Sequence, residues 1–144
     1  MKRNTFPRMK KTSLLTAAAF CLLMCCCESP EKSQRAFDEG ITYMLDHAMY
    51  TKAEECFTEA IKYNKNNYEA YYCRGCCKFN RNLIDEAIVD LEKALEIKPN
   101  YADAEFTLGR IYFVKNDIDM SCYYYKASKE HGRQNVDDLL KGCP

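Results

Sequence analysis

The amino-acid sequence predicts an all-α fold: a short solenoid of stacked helix-turn-helix units closed by one further helix. Three observations carry that prediction. A pattern of small and large residues, Ala53-x3-Phe57-x2-Ala60, returns as Ala87-x3-Leu91-x2-Ala94 and again as Ser121-x3-Tyr125-x2-Ser128, each time 34 residues on. Within the second copy, Ile84, Ala87, Ile88, Leu91, Ala94 and Leu95 fall at the i, i+3, i+4 spacing that puts them on one helical face. Pro99-Asn100 then stops that helix, because proline lacks an amide donor and restricts the residue before it. A fixed period of this length means a unit that cannot bury its apolar face alone and must stack on copies of itself.

Residues 1–27 stand apart from this body. The chain holds 21 Lys and Arg against 21 Asp and Glu, yet Lys2, Arg3, Arg8, Lys10 and Lys11 lie in the first 11 residues with no acid among them. From Thr12 onward 16 bases face 21 acids, a balance that disfavours nucleic acid as a partner. The basic start leads into an apolar run from Leu14 to Met24, well short of the roughly 20 residues that span a bilayer as a helix, which is the order of an export signal. Leu22-Leu23-Met24-Cys25-Cys26-Cys27 resembles the lipobox of bacterial lipoproteins, in which a Leu stands three places before the cysteine and a small residue just before it. Cys26 fits with Leu23 and Cys25 in those places, and Cys27 is the alternative, with Met24 in the aliphatic place. The resemblance implies cleavage, acylation of that cysteine, and a lipid-anchored protein of the bacterial cell envelope, facing the periplasm or the cell surface. Acyl chains contribute about 0.8 kcal/mol per buried CH₂, so two or three of them anchor durably. Residues 28–33 (ESPEKS) are then expected to be a short polar tether.

The helical units follow. In the second, Asn67-Tyr68 opens a helix through Phe79 carrying Tyr71, Arg74, Gly75 and Lys78 at helical spacing, Arg81-Asn82 breaks it, and residues 83–97 form its partner. Gly75 recurs as Gly109, and Gly40 sits one place off the matching position in the first copy. Ala53, Ala60, Ala87, Ala94, Gly75 and Gly109 are where helices are expected to close on one another, with Phe57, Leu91 and Tyr125 filling the space beside them. Thirty-four residues with a glycine in the first half, A-x3-F-x2-A in the second and a closing proline resemble the tetratricopeptide repeat. The resemblance covers residues 34–67, 68–101 and 102–131. The first unit lacks the closing proline, and the third has Ser121 and Ser128 for alanine. After Gly132, read as a helix C-cap, residues 132–144 supply a capping segment whose Val136, Leu139 and Leu140 give the apolar face of a helix over 135–141.

Little here suggests catalysis. His47 and His131 have no metal or nucleophile pattern around them, and His131 beside Gly132 reads as a helix-dipole partner. No phosphate-loop, dinucleotide, hydrolase-elbow or zinc-protease string occurs. Cys73-x2-Cys76-Cys77 imitates a metal or redox site but lies inside a helix with no second pair nearby, so buried packing thiols are the plainer reading. Cys56 is the one candidate partner for a disulfide from that cluster. Cys122 and Cys143 lie on the last repeat helix and at the end of the capping helix, where a hairpin could pair them. The chain also resembles tetratricopeptide lipoproteins with cysteines in those two places.

Tetratricopeptide arrays bind peptides or partner helices on the concave face lined by the first helix of each unit. By period, the resemblance places Arg35, Asp38, Thr42 and Leu45, then Glu69, Tyr72, Cys76 and Phe79, then Asp103, Phe106, Arg110 and Phe113 on that face. The places where some members clamp an acidic C-terminus hold Asp38, Thr42, Cys73, Asp103 and Thr107, so that clamp is absent. Tyr72, Phe79, Phe106, Arg110 and Phe113 are the candidate contacts for an apolar or aromatic segment, with packing of the array as the other role for these rings. The expected function is a membrane-anchored protein-protein interaction module or assembly adaptor with no enzymatic activity, metal, cofactor, nucleic acid or small-molecule substrate. A self-associating structural subunit of an envelope complex is the alternative, and a metal or redox role for Cys73, Cys76 and Cys77 a third.

Overall fold

A computed structural model describes residues 29–46 and 49–144. The expected export signal with Cys26 and Cys27, and His47, lie outside those residues. Among the described residues seven helices follow one another: α1 Pro30–Leu45, α2 Tyr50–Tyr63, α3 Tyr68–Asn80, α4 Ile84–Ile97, α5 Ala102–Val114, α6 Ile118–Glu130 and α7 Asp137–Leu140. None is long and apolar enough to cross a membrane. Short connections make α1–α2, α3–α4 and α5–α6 antiparallel pairs, and each pair packs on the next through α2–α3 and α4–α5. The first helices also touch in succession, α1 to α3 and α3 to α5, whereas no such contact joins the second helices. The array therefore curves with its first helices on the inner side.

The recurring residues are the core. Ala53, Phe57, Ala60, Ala87, Leu91, Ala94 and Ser128 are fully buried, and Ser121 and Tyr125 nearly so. Each large residue lies against a glycine of the preceding helix. A Cβ on Gly75 would stand 3.0 Å from Leu91 Cγ, and one on Gly109 would stand 2.6 Å from Tyr125 Cδ1. Gly40 plays the same part for Phe57. It is displaced by one in the sequence because the α1–α2 connection has four residues where those at 81–83 and 115–117 have three. In the third unit Ser121 Oγ donates to the Gly109 carbonyl at 2.9 Å and Ser128 Oγ to that of Tyr125 at 2.9 Å, so both buried hydroxyls are satisfied.

Polar contacts tie unit to unit. Asp90, 3% exposed, accepts from Arg74 Nε at 2.8 Å and Nη2 at 2.6 Å and faces Lys78 Nζ at 2.9 Å. Arg74 also donates to Thr58 Oγ1 at 3.2 Å, linking α3 to α2 as well as α4. Ser33 Oγ donates to the Ala60 carbonyl at 2.8 Å and accepts from Asn67 Nδ2 at 3.2 Å. This corrects the tether: helix α1 starts at Pro30, a residue suited to a first helical turn, and residues 30–33 are that turn.

The C-terminal end differs from expectation in two respects. The helix predicted over 135–141 is reduced to the single turn of α7, because Asn135 takes a left-handed φ of 61° and the chain turns again after Leu140. His131 is not only a helix-end residue, since its Nδ1 lies 2.7 Å from the carboxylate of Glu105, which is buried. Gly132, with φ +99°, follows α6 as its left-handed stop. Val136 is the buried anchor of this segment, and a disulfide joins Cys122 to Cys143 with Cα atoms 5.6 Å apart.

Candidate functional site

Phe106, Arg110 and Phe113 stand at i, i+4 and i+7 on α5 and so share one face. Together with Phe79 of α3 they line a cleft of about 240 Å³, completed by Val114, Tyr125 and, from α7, Leu139. Cation-ring contacts hold its polar parts. The Arg110 guanidinium sits 5.4 Å from the Phe79 ring centre, and that of Arg133 sits 4.1 Å from the ring of Phe106 while pairing with Asp103. The rings of Phe106 and Tyr125 lie 5.6 Å apart. Phe113 is 62% exposed, and Val114 and Leu139 are also open to solvent, so the cleft offers uncovered apolar surface.

Four of the five expected groove residues meet here, and Tyr72 does not. It is half-buried, packs edge-on to Tyr101 at 5.2 Å, and places its hydroxyl beside Cys76 and Thr107, with burial pushing that hydroxyl well above the ordinary tyrosine range. Tyr72 therefore cements α3 to α5. The acidic-ligand positions offer no cationic clamp: Cys73 and Thr107 are buried, Asp38 accepts from Gln34, and Asp103 is engaged by Arg133. What sequence reasoning missed is the contribution from beyond the repeats. Leu139 was legible only as part of a capping face, and nothing in the spacing of Arg133 signals that it covers Phe106.

The cysteine cluster divides. Cys73 and Cys77 are buried against Ala53 and Phe57, while Cys76 turns toward Tyr72 and Thr107. Burial raises all three thiols, Cys77 up to about 12, so they stay protonated at neutral pH. Cys56, the partner considered for them, is a free thiol. Among the described residues no three His, Cys, Asp or Glu side chains converge where a metal ion could be held.

Residues 68–101 match the family model described as Tetratricopeptide repeat. Hsp70-Hsp90 organizing protein 1 of Glycine max is 26% identical over 113 residues, covering 78% of this chain and 19% of its own length. Hsp70-Hsp90 organizing protein 3 of Arabidopsis thaliana is 29% identical over 90 residues, covering 62% of this chain and 16% of its own. The chain thus spans less than a fifth of the length of these curated relatives. In fold it is similar to the first TPR of Spaghetti (RPAP3), solved bound to the HSP90 peptide SRMEEVD, with a TM-score of 0.75 at 18% identity over 81% of this chain and 93% of that one. Residues 68–101 are accordingly a tetratricopeptide repeat, the middle unit of an all-α array with the fold of tetratricopeptide domains.

Proposed function

We propose that the array is a protein-protein interaction module whose α3–α5 cleft takes an apolar or aromatic segment of its partner, and that it works as an assembly adaptor anchored in the bacterial cell envelope by lipid on Cys26 or Cys27. The observation that carries the binding reading is the convergence of Phe79, Phe106, Arg110 and Phe113 on one open cleft. Exposed rings that a partner can desolvate supply most of the energy at such surfaces. An acidic peptide like the one bound by the RPAP3 domain is a poor fit, because Asp38 and Asp103 stand where a carboxylate would need cations. The anchoring reading is supported by the residue order of positions 1–27.

Phe113→Ala with Arg110→Ala should weaken capture of the partner by roughly tenfold or more, about 1.4 kcal/mol, with the far-ultraviolet circular dichroism unchanged. Undiminished capture would place recognition elsewhere. Separately, Cys26→Ala with Cys27→Ala should abolish incorporation of radioactive palmitate, and persistent labelling would end the anchoring proposal.

A further inference from the structure

Helices α5 and α6 present at the end of the array the same face that α3 and α4 present to the third unit. Phe113, Ile118, Ser121, Cys122 and Tyr125 stand 34 residues after Phe79, Ile84, Ala87, Ile88 and Leu91. The earlier face is covered by a whole helix. Ala104, Leu108 and Ile111 of α5, all fully buried, complete one cluster with Ala87 and Leu91, and Phe79, Ile84 and Ile88 are half-buried against it. On the first unit α3 does likewise, setting Cys73 and Cys77 on Ala53 and Phe57.

On the third face the cover is Val136, the single turn of α7 and Cys143, which leaves Ser121, Cys122 and Tyr125 buried and only the Phe113 and Ile118 side open. The chain then turns aside, and Cys143 is tied to Cys122. A cavity of about 300 Å³ remains over Phe113, Ile118, Ser121 and Tyr125, bounded by Leu139 and Gly142. Phe113 is 62% and Ile118 40% exposed, where their counterparts Phe79 and Ile84 are half-buried.

We infer that this end of the array accepts an amphipathic helix from a partner protein, seated on the open Phe113 and Ile118 side beside the disulfide-tied end segment, as α3 and α5 seat on the first two units. Continuity with an interface already built twice identifies the occupant. Each time it is filled by a helix, and α5 shows the pattern required: small or aliphatic side chains at i, i+4 and i+7, as Ala104, Leu108 and Ile111. A second copy stacked head to tail would have to offer α1, whose exposed side carries Lys32, Arg35, Asp38 and Glu39 and suits water instead. This surface adjoins the α3–α5 cleft. Phe113, Tyr125 and Leu139 border both, Ile118 belongs to the end face alone, and Arg110 to the cleft alone.

The test uses the full, oxidised chain and a fluorescein-labelled peptide with the sequence of residues 101–115, the segment that fills the equivalent place one unit earlier. Fluorescence anisotropy should show saturable binding that Ile118→Asp weakens at least tenfold and Arg110→Ala changes less than twofold. A peptide carrying Leu108→Asp and Ile111→Asp should not bind. Absence of binding, equal binding to the Ile118→Asp chain, or loss on Arg110→Ala alone would overturn the inference, the last by placing the peptide in the cleft. Sedimentation showing a dimer that Ile118→Asp dissolves would overturn it in favour of a second copy. Should Ile118→Asp lose its helical signal, amide exchange on the unaltered chain reads the same point: the peptide should protect residues 113–122, and unchanged exchange there refutes the docking.

Discussion

The joint between α4 and α5 and the joint between α6 and α7 rest on the same kind of face and are closed by different means. At the first, Leu91, Leu108 and Ile111 interlock with alanines, all of them fully buried, so closure comes from apolar area removed from water. At the second, a single turn is held by Val136 and by the Cys122–Cys143 disulfide, and Phe113, Ile118 and Leu139 remain open to solvent. A repeat face thus does not close itself. Where a full neighbouring helix is missing, a covalent link fixes the position of the cover without supplying the packing.

The sharpest way to break that comparison is Leu91→Ala, which should destabilise the array by about 2–5 kcal/mol in urea unfolding, because it opens a cavity at a joint packed on all sides. Cys122→Ser with Cys143→Ser should cost less than about 3 kcal/mol, the chain-entropy value for a loop of this size. Its amide-exchange signature should be confined to residues beyond Ser128; loss of protection in α3 and α4 would show that the end joint supports the core joint. Gly109→Ala should destabilise by about 1–3 kcal/mol through overpacking on Tyr125. Adding Tyr125→Leu should recover only part of that, because a Cβ facing leucine at the equivalent Gly75–Leu91 contact would still stand 3.0 Å from Leu91 Cγ. Ser121→Ala copies the alanine of the other units and should stay within about 1 kcal/mol, the scale of one hydrogen bond.

A further effect is felt only at alkaline pH. Cys77 titrates at about 12 in the folded chain against 9.0 as the unperturbed value. Burial stabilises its neutral form, so its contribution is complete below pH 9 and declines as pH rises from there toward 12. Cys77→Ala should flatten the alkaline limb of the stability profile, and an unchanged slope would show that the tyrosines govern it.

Much of this architecture was legible in the 34-residue pattern, because small residues at helix contacts and large ones opposite them are a direct consequence of close packing. The exceptions have physical causes. Gly40 looked misplaced only because loop length is invisible to a periodicity count. Pro30 and Ser33 read as tether residues, since neither is apolar, yet a proline fits a first helical turn and a serine is buried readily once both its donor and its acceptor are engaged. Tyr72 was grouped with the groove by period, but a ring half-covered by Tyr101 cannot also face a ligand freely. Leu139 could not be assigned to the cleft because it comes from outside the repeat, where register no longer guides placement.

The disulfide also sets how the molecule answers to force. Helix pairs touch only their immediate neighbours, so a pull along the array detaches them pair by pair. The 21-residue separation between Cys122 and Cys143 withholds about 70 Å of chain at full extension. With the bridge intact, residues 123–142 form a covalently closed loop that tension cannot extend, and a dithiol converts that loop into slack.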